Sequence, residues 1–430
     1  MEASAGPLTL TRPPGRKGLW AWALYDWANS AFPTVVITFV FAIYFAEGVV
    51  GDSDRGASLW GLAMAASGVA VAILAPIVGA VADHAGRRKP WLLLFTALAL
   101  LSGAGLWFVK ADPAYIVLGM VLAGLANLAF EFGTVFYNAM LPDLVPPKLY
   151  GRVSGWAWGL GYAGGLGCLI LALVFIQADP PPFGLDAASS EPVRAVGPLT
   201  ALWYLVFAWP LFLFTPDRPA VAIGPREALR KGLAQLWRTL KSLRRQGTIL
   251  RFLIARLFYT DGLNTLFAFG GIYAARSFDM AVEEILLFGI LLNITAGLGA
   301  FAFGWVDDRI GAKPTIVIAL LALFLLSGII LLVEGKLWFY VLGCAIGVFI
   351  GPAQSASRSL MAHLAPAEQR TEMFGLFALT GKVTAFVGPT LIWLLTTAFD
   401  SLRVGMTAIL LLLLLGLVIL WPLRVPRPAP

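Results

Sequence analysis

Six ionisable residues lie inside long apolar stretches of the sequence. They are Asp26, Glu131, Arg256, Asp261, Arg358 and Lys382. A charged side chain within a bilayer is costly and generally faces a cavity, so each is a candidate for binding a charged solute or carrying a proton. Structural ion pairs, such as Arg358 with Glu131, are the alternative. We favour binding or coupling for Glu131, Asp261 and Lys382, and weigh both roles equally for Asp26 and Arg256.

Uncharged polar residues accompany these charges at helical spacing. Asn29 follows Asp26 by three residues, and Asn127 precedes Glu131 by four, so each pair shares one helix face. The remaining polar members of the candidate set are Asn138, Asn264 and Gln354. We predict that the polar and charged residues together bind the substrate or couple its movement to a proton.

The elements that position these residues are predicted to be membrane-spanning helices. Of the 430 residues, 59% are hydrophobic and 13% charged, and the mean hydropathy is +0.82. Soluble domains carry roughly 25% charged residues, and disordered chains have low hydrophobicity, so both classes are excluded. A bilayer core needs about 20 helical residues. Twelve stretches of about that length lie near 19–47, 58–82, 90–109, 113–140, 153–177, 198–214, 251–275, 284–306, 314–333, 337–361, 371–398 and 402–422.

The distribution of basic residues predicts the orientation. With these spans, 22 of the 31 lysine and arginine residues fall on the side that carries both termini, and six fall on the other. Both termini are therefore expected in the cytoplasm, with the plasma (inner) membrane as the location. The predicted boundaries are 1–18 and 423–430 for cytoplasmic tails, 19–214 and 251–422 for two six-helix bundles, and 215–250 for a cytoplasmic linker with an amphipathic helix. We interpret this linker as a connector held at the anionic leaflet rather than as a regulatory site.

An internal repeat relates the two bundles. The pattern Asp-x-x-Asn-Ser/Thr occurs at Asp26 and at Asp261. The pattern Gly-x-x-x-Asp-x-x-Gly-x-basic begins at Gly79 and again at Gly304, 225 residues later. A third match, at an offset of 220, pairs Leu144, Pro146 and Gly155 with Leu364, Pro366 and Gly375. Because each half has six helices and begins on the same side, the repeats are parallel, as in one class of transporters.

The repeated loop pattern itself predicts a cytoplasmic gate. An aspartate at a helix end and basic residues shortly after it can form charge-assisted contacts that latch the bundles together. The candidate gate residues are Gly79, Asp83, Gly86, Arg87, Arg88, Asp143, Arg152, Gly304, Asp308, Arg309, Gly311 and Lys313. Charges that merely obey the positive-inside rule are the alternative, but the duplicated spacing favours a latch.

The loops GAVADHAGRRK and GWVDDRIGAK resemble the two copies of the signature loop of the major facilitator superfamily. The first copy departs slightly, with His84 where the second has Arg309. The segments YDWANSAF and LPDLVPPKLYGRVSG and the segment at Asp261 resemble the vacuolar amino-acid effluxer-like, autophagy-related branch of that superfamily. The resemblance implies two helical bundles around a central cavity that is lined by spans one, four, seven and ten and opens alternately to each side.

The expected function is secondary active transport of a small polar solute, with amino-acid export favoured and a proton as the candidate coupling ion. A sugar, a drug or a lipid-like amphiphile is the alternative substrate, although six intramembrane charges disfavour a sugar. An enzyme is not expected, because no nucleophile, base or metal cluster is found at the membrane surface. Cys168 and Cys344 lie in apolar runs and form no disulfide framework. No cofactor, metal or nucleic acid is expected as a partner of the chain, which we predict to be a monomer in the lipid bilayer.

Overall fold

The fold is built from helices. The structure is a computed structural model that describes residue 10, residues 14–243 and residues 247–425. Over these residues every regular element is a helix, and ten helical segments are long and apolar enough to cross a membrane. The predicted all-α, multi-pass membrane architecture is therefore confirmed. The predicted tails lie in large part outside the described residues.

The principal helices follow the predicted spans closely. In chain order they are α1 (Arg16–Val50), α2 (Ser53–Ala85), α3 (Lys89–Gly105), α4 (Ile116–Leu144), α5 (Tyr150–Gln177), α6 (Val196–Phe214), α7 (Pro225–Leu243), α8 (Gly247–Phe278), α9 (Val282–Ile310), α10 (Ala312–Ile330), α11 (Lys336–Leu364), α12 (Arg370–Thr380), α13 (Val387–Phe399) and α14 (Leu402–Leu420). Helix α1 changes to wider π-helical turns over Phe32–Phe39, next to Pro33, where the ring removes a backbone donor.

Two predicted spans differ from the ten apolar ones. Span seven is α8, a 32-residue helix whose apolar character is reduced by Arg256 and Asp261. Span eleven, predicted as one stretch over 371–398, is interrupted: α12 ends at Thr380, α13 begins at Val387, and residues 381–386 between them form turns. Glycine has low helix propensity, so Gly381 weakens the helix at this point.

The chain divides into two compact units. Unit 1 comprises residues 1–75, 85–140 and 160–222, and unit 2 comprises residues 76–84, 141–159 and 223–430. The end of α2 and the start of α5 therefore belong with the helices that follow the linker. The division into bundles at 19–214 and 251–422 stays a prediction.

Aromatic side chains fill the core of each unit. In unit 1 the rings of Trp22 and Tyr137 stack with centroids 4.5 Å apart, and Tyr25 packs on the same tyrosine at 5.1 Å. In unit 2 Phe339 packs between Phe278 and Phe288, with both centroid distances 4.7 Å. These contacts fix the helices that carry the candidate residues described next.

Candidate functional site

Five predicted residues lie on α1 and α4 of unit 1. Asp26 and Glu131 are half-buried, whereas Asn29, Asn127 and Asn138 are buried. The side-chain amide of Asn127 donates a hydrogen bond of 2.9 Å to the Ser67 hydroxyl on α2. This unit thus holds two carboxyl groups and three amides on two spans that the resemblance assigns to the cavity.

In unit 2, Arg256 on α8 holds the end of α12. Its Nη1 donates to the carbonyl oxygen of Phe377 and to the Thr380 hydroxyl, both at 2.6 Å. The guanidinium also lies over the Phe377 ring, 3.4 Å from its centroid. A cation at this position complements the negative end of the α12 helix dipole.

Asp261, five residues later on α8, holds the start of α13. Its Oδ2 accepts a hydrogen bond of 3.1 Å from the backbone N–H of Gly388. Its other oxygen, Oδ1, is buried and has no hydrogen-bond partner among the described residues. Arg256 and Asp261 therefore contact the two half-helices on either side of the interruption in span eleven.

Arg358 on α11 is buried against the start of α5. Its Nε donates to the Ser154 hydroxyl at 2.8 Å and its Nη2 to the Ser154 carbonyl at 2.7 Å. Gln354, one turn earlier on α11, is half-buried. Lys382 is half-buried in the interruption, and Asn264 is exposed on α8. The pairing of Arg358 with a carboxylate stays a prediction.

A second group of polar residues joins helix ends within unit 2. The Asp83 carboxylate, at the end of α2, accepts hydrogen bonds from the backbone N–H groups of Thr371 at 3.1 Å and Glu372 at 2.9 Å. These N–H groups belong to the first turn of α12, where they have no acceptor within their own helix. A carboxylate there also complements the helix dipole.

Asp308, at the end of α9, makes the equivalent contact with the start of α5. It accepts from the backbone N–H of Arg152 at 3.0 Å and from that of Gly151, and its Oδ2 lies 3.2 Å from the Arg152 Nε. Asp143 and Arg370 form a further ion pair. We call these contacts of Asp83, Asp308 and Asp143 the helix-end network. Its first two contacts are related by the internal repeat, because position 308 follows 83 by 225 and positions 371 and 372 follow 151 and 152 by 220.

The repeated glycines allow these close approaches. A Cβ atom at Gly79 would lie 2.6 Å from the Thr371 carbonyl oxygen, and one at Gly304 would lie 3.0 Å from the Arg152 Cα. Gly86 has a φ of +81°, in the left-handed region that favours glycine. Gly311 directly follows the last residue of α9.

The four basic gate candidates have other contacts within their own units. In unit 1 the Arg88 Nη1 donates to the Ala139 carbonyl at 2.6 Å, and Arg87 lines a cavity beside the start of α3. In unit 2 Arg309 and Lys313 line a cavity of about 530 Å³, and the Lys313 Nζ donates to the Trp421 carbonyl at 2.7 Å. Their role in a latch stays a prediction.

Several polar residues of these contacts were absent from the predicted set. They are Ser154, Asp217, Gln235, Asp307, Arg370 and Glu372. The Asp217 carboxylate accepts from the backbone N–H groups of Arg88 and Lys89, at 3.1 and 3.0 Å. The third repeat match, which aligns the starts of α5 and α12, was the sequence signal that could have indicated Glu372. Among the described residues, no group of three or more His, Cys, Asp and Glu could hold a metal ion.

Solved transporters share this arrangement of helices. The human organic anion transporter MFSD10 matches with a TM-score of 0.72 at 16% identity, covering 95% of this chain and 100% of that one. A bacterial homologue of the iron transporter ferroportin, in its outward-facing state, matches with a TM-score of 0.66 at 17% identity, covering 94% and 98%. These similarities show the fold, and the protein is a transporter of the major facilitator type.

Sequence comparison defines the family. The model of the family "Vacuole effluxer Atg22 like" matches residues 48–429, so the chain belongs to that family. The uncharacterised MFS-type transporter YxiO of Bacillus subtilis is 28% identical over 93% of both chains. Autophagy-related protein 22 of Coccidioides immitis is 23% identical over 94% of this chain and 86% of its own.

Proposed function

We propose that the protein exports an amino acid by alternating access. The observation that carries the proposal is the balance of charge within the spans: three acids and three bases in a chain whose family is described as vacuole effluxers. A zwitterion needs both signs, because its carboxylate is bound by arginine or lysine and its ammonium by aspartate or glutamate. Arg358, Lys382 and Arg256 are the candidates for the first role, and Glu131 and Asp261 for the second.

The helix-end network is proposed to act as a gate. The excess of basic residues on the side of the termini supports a cytoplasmic position for both termini, and hence for the ends of α2 and α9. The contacts of Asp83 and Asp308 hold the starts of α12 and α5. Their breakage is then one step of the cycle. We propose the plasma membrane as the location.

Proton coupling is proposed to use the intramembrane carboxyl groups of Asp26, Glu131 and Asp261. A carboxyl group that moves between a wet and a dry environment, or towards and away from a cation, changes its proton affinity. Such a change links protonation to the transport cycle.

Flux in proteoliposomes tests the proposal. Vesicles containing the purified protein are loaded with radiolabelled amino acids, and separate vesicles with labelled sugars or organic cations, at imposed pH gradients. We expect efflux of an amino acid only. Sugar or cation efflux without amino-acid efflux would replace the proposed substrate class.

The variant Glu131→Gln tests the coupling. We expect it to abolish efflux driven by a pH gradient while the purified protein keeps its melting temperature, because the amide preserves the shape of the side chain but carries no proton. The matched control Glu334→Gln changes an exposed residue and should leave efflux unchanged. Normal coupled efflux by Glu131→Gln would remove this residue from the mechanism.

A further inference from the structure

The interruption of span eleven has an environment that its depth in the membrane restricts. Helix α12 has 11 residues, so the turns at 381–386 begin roughly 16 Å from its start at 1.5 Å per residue. Irregular backbone at such a depth is tolerated only where it is buried in protein or faces water. Because Val383 and Phe386 are exposed, at 44% and 67%, we infer that this segment faces water.

Asp261 is the polar group that α8 places against the first turn of α13. It is only 2% exposed, and Gly388 donates to one of its two oxygens. The other oxygen, Oδ1, has no partner among the described residues, and neither has the buried hydroxyl of Thr265, one turn later on the same helix face. Thr265 itself packs against Gly388.

The charged groups around Asp261 have other contacts. Helix α13 and residues 407–420 of α14 carry no ionisable side chain. The flanking charges are Arg256, bound to Phe377 and Thr380, and Lys382 in the interruption. On the other helices packed against α8, Arg358 is bound to Ser154, Arg370 to Asp143, Glu372 to Gln235, Asp308 to Arg152 and Glu284 to Lys336. The remaining ionisable groups on those helices are Glu283, Asp307, Arg309, His363 and Arg403.

The hydrogen-bonding pattern at Asp261 fits a neutral carboxyl group. An ionised carboxylate that is removed from water with one N–H partner is strongly disfavoured. A protonated carboxyl accepts the Gly388 N–H with Oδ2 and can donate its own O–H from Oδ1 to the Thr265 hydroxyl. Every polar atom of the group then has a partner.

We propose that Asp261 is a proton-binding site that controls span eleven: in its protonated form it holds α13 against α8, and loss of the proton releases the first turn of α13. The proton passes to water at the exposed segment 381–386 and returns from it. The binding site stands on the geometry within unit 2, and only its place in a transport cycle rests on the proposed function.

Hydrogen–deuterium exchange of a peptide covering residues 384–392 tests this in detergent, without any substrate. Wild type is compared with Asp261→Asn at each pH from 5 to 9, because the chemical exchange rate is the same for both proteins and cancels in their ratio. The asparagine can accept from Gly388 and donate to Thr265, so it should stay closed throughout. We expect a wild-type to variant ratio near one at low pH that rises about tenfold per pH unit once the carboxyl group ionises.

A matched control and a second variant make the result decisive. Asp112→Asn changes an exposed carboxylate that caps a turn and should follow wild type at every pH. Thr265→Val removes the acceptor for the carboxyl proton and should start to open at lower pH than wild type. A ratio that stays constant across the range would overturn the proposal. If Asp261→Asn does not fold, Thr265→Val opening at the same pH as wild type would overturn it. Failure of amino-acid transport alone would not change these outcomes.

Discussion

Replacing Asp83 by alanine should weaken the attachment of α12 to the end of α2. The carboxylate accepts two backbone N–H groups, from Thr371 and Glu372, both of which are fully buried residues. Hydrogen bonds to a charged group contribute roughly 1.5–3 kcal/mol each, so the loss should be about 3 kcal/mol if water partly replaces the carboxylate. At about 2–4 °C per kcal/mol for a unit of this size, the melting temperature should fall by about 6–12 °C.

The assay is thermal unfolding of the purified protein in detergent, followed by intrinsic fluorescence. Asp83→Asn keeps one acceptor oxygen but removes the charge, so it should lose about half as much stability. Asp308→Ala should resemble Asp83→Ala, because the internal repeat places it at the start of α5 in the same way. Asp112→Ala is the matched control, since Asp112 caps the exposed N–H of Ala114 and should change the melting temperature little.

The reasoning would be refuted if Asp83→Ala melted at the wild-type temperature, or if the exposed control Asp112→Ala lost as much stability. In the first case the N–H groups at the start of α12 would not depend on this carboxylate. In the second the loss would not reflect burial of the contact.

Two further substitutions test close contacts of the same unit by melting temperature. Gly79→Ala should destabilise by about 1–3 kcal/mol, because its Cβ would lie 2.6 Å from the Thr371 carbonyl; Gly61→Ala, in the same helix with nothing within 4 Å of the added atom, should be neutral or slightly stabilising, and equal losses in both would contradict this reading. Arg358→Lys should destabilise by about 1.5–3 kcal/mol, because a lysine ammonium cannot replace the planar guanidinium that donates to both the hydroxyl and the carbonyl of Ser154; a wild-type melting temperature would show that these bonds add no stability.

The positions of the spans could be predicted well from the sequence, because hydropathy over about 20 residues is a local property. The end of α2 and the start of α5 illustrate the limit. They belong to a unit formed mostly by residues after the linker, and this grouping depends on packing between segments far apart in the chain. The interruption of span eleven was also missed, since residues 381–386 lie within an apolar stretch and only Gly381 marks the break.

The candidate site shows the same division. Residue type and depth identified Arg256 and Asp261 as charges within the membrane, and their spacing of five residues indicated that each needs its own partner. The partners are a carbonyl of α12 and the N–H of Gly388, which carry no residue-type signal because nearly every residue has the same backbone groups.

By itself, the sequence determined that this is a membrane protein with two parallel repeats, and it identified the aspartates that recur in them. Only the tertiary structure decided what those aspartates hold. Asp83 and Asp308 each contact the start of a helix that is remote in sequence. Periodicity and composition describe what a segment can bury, whereas the backbone donors that a side chain meets are fixed only when the helices pack.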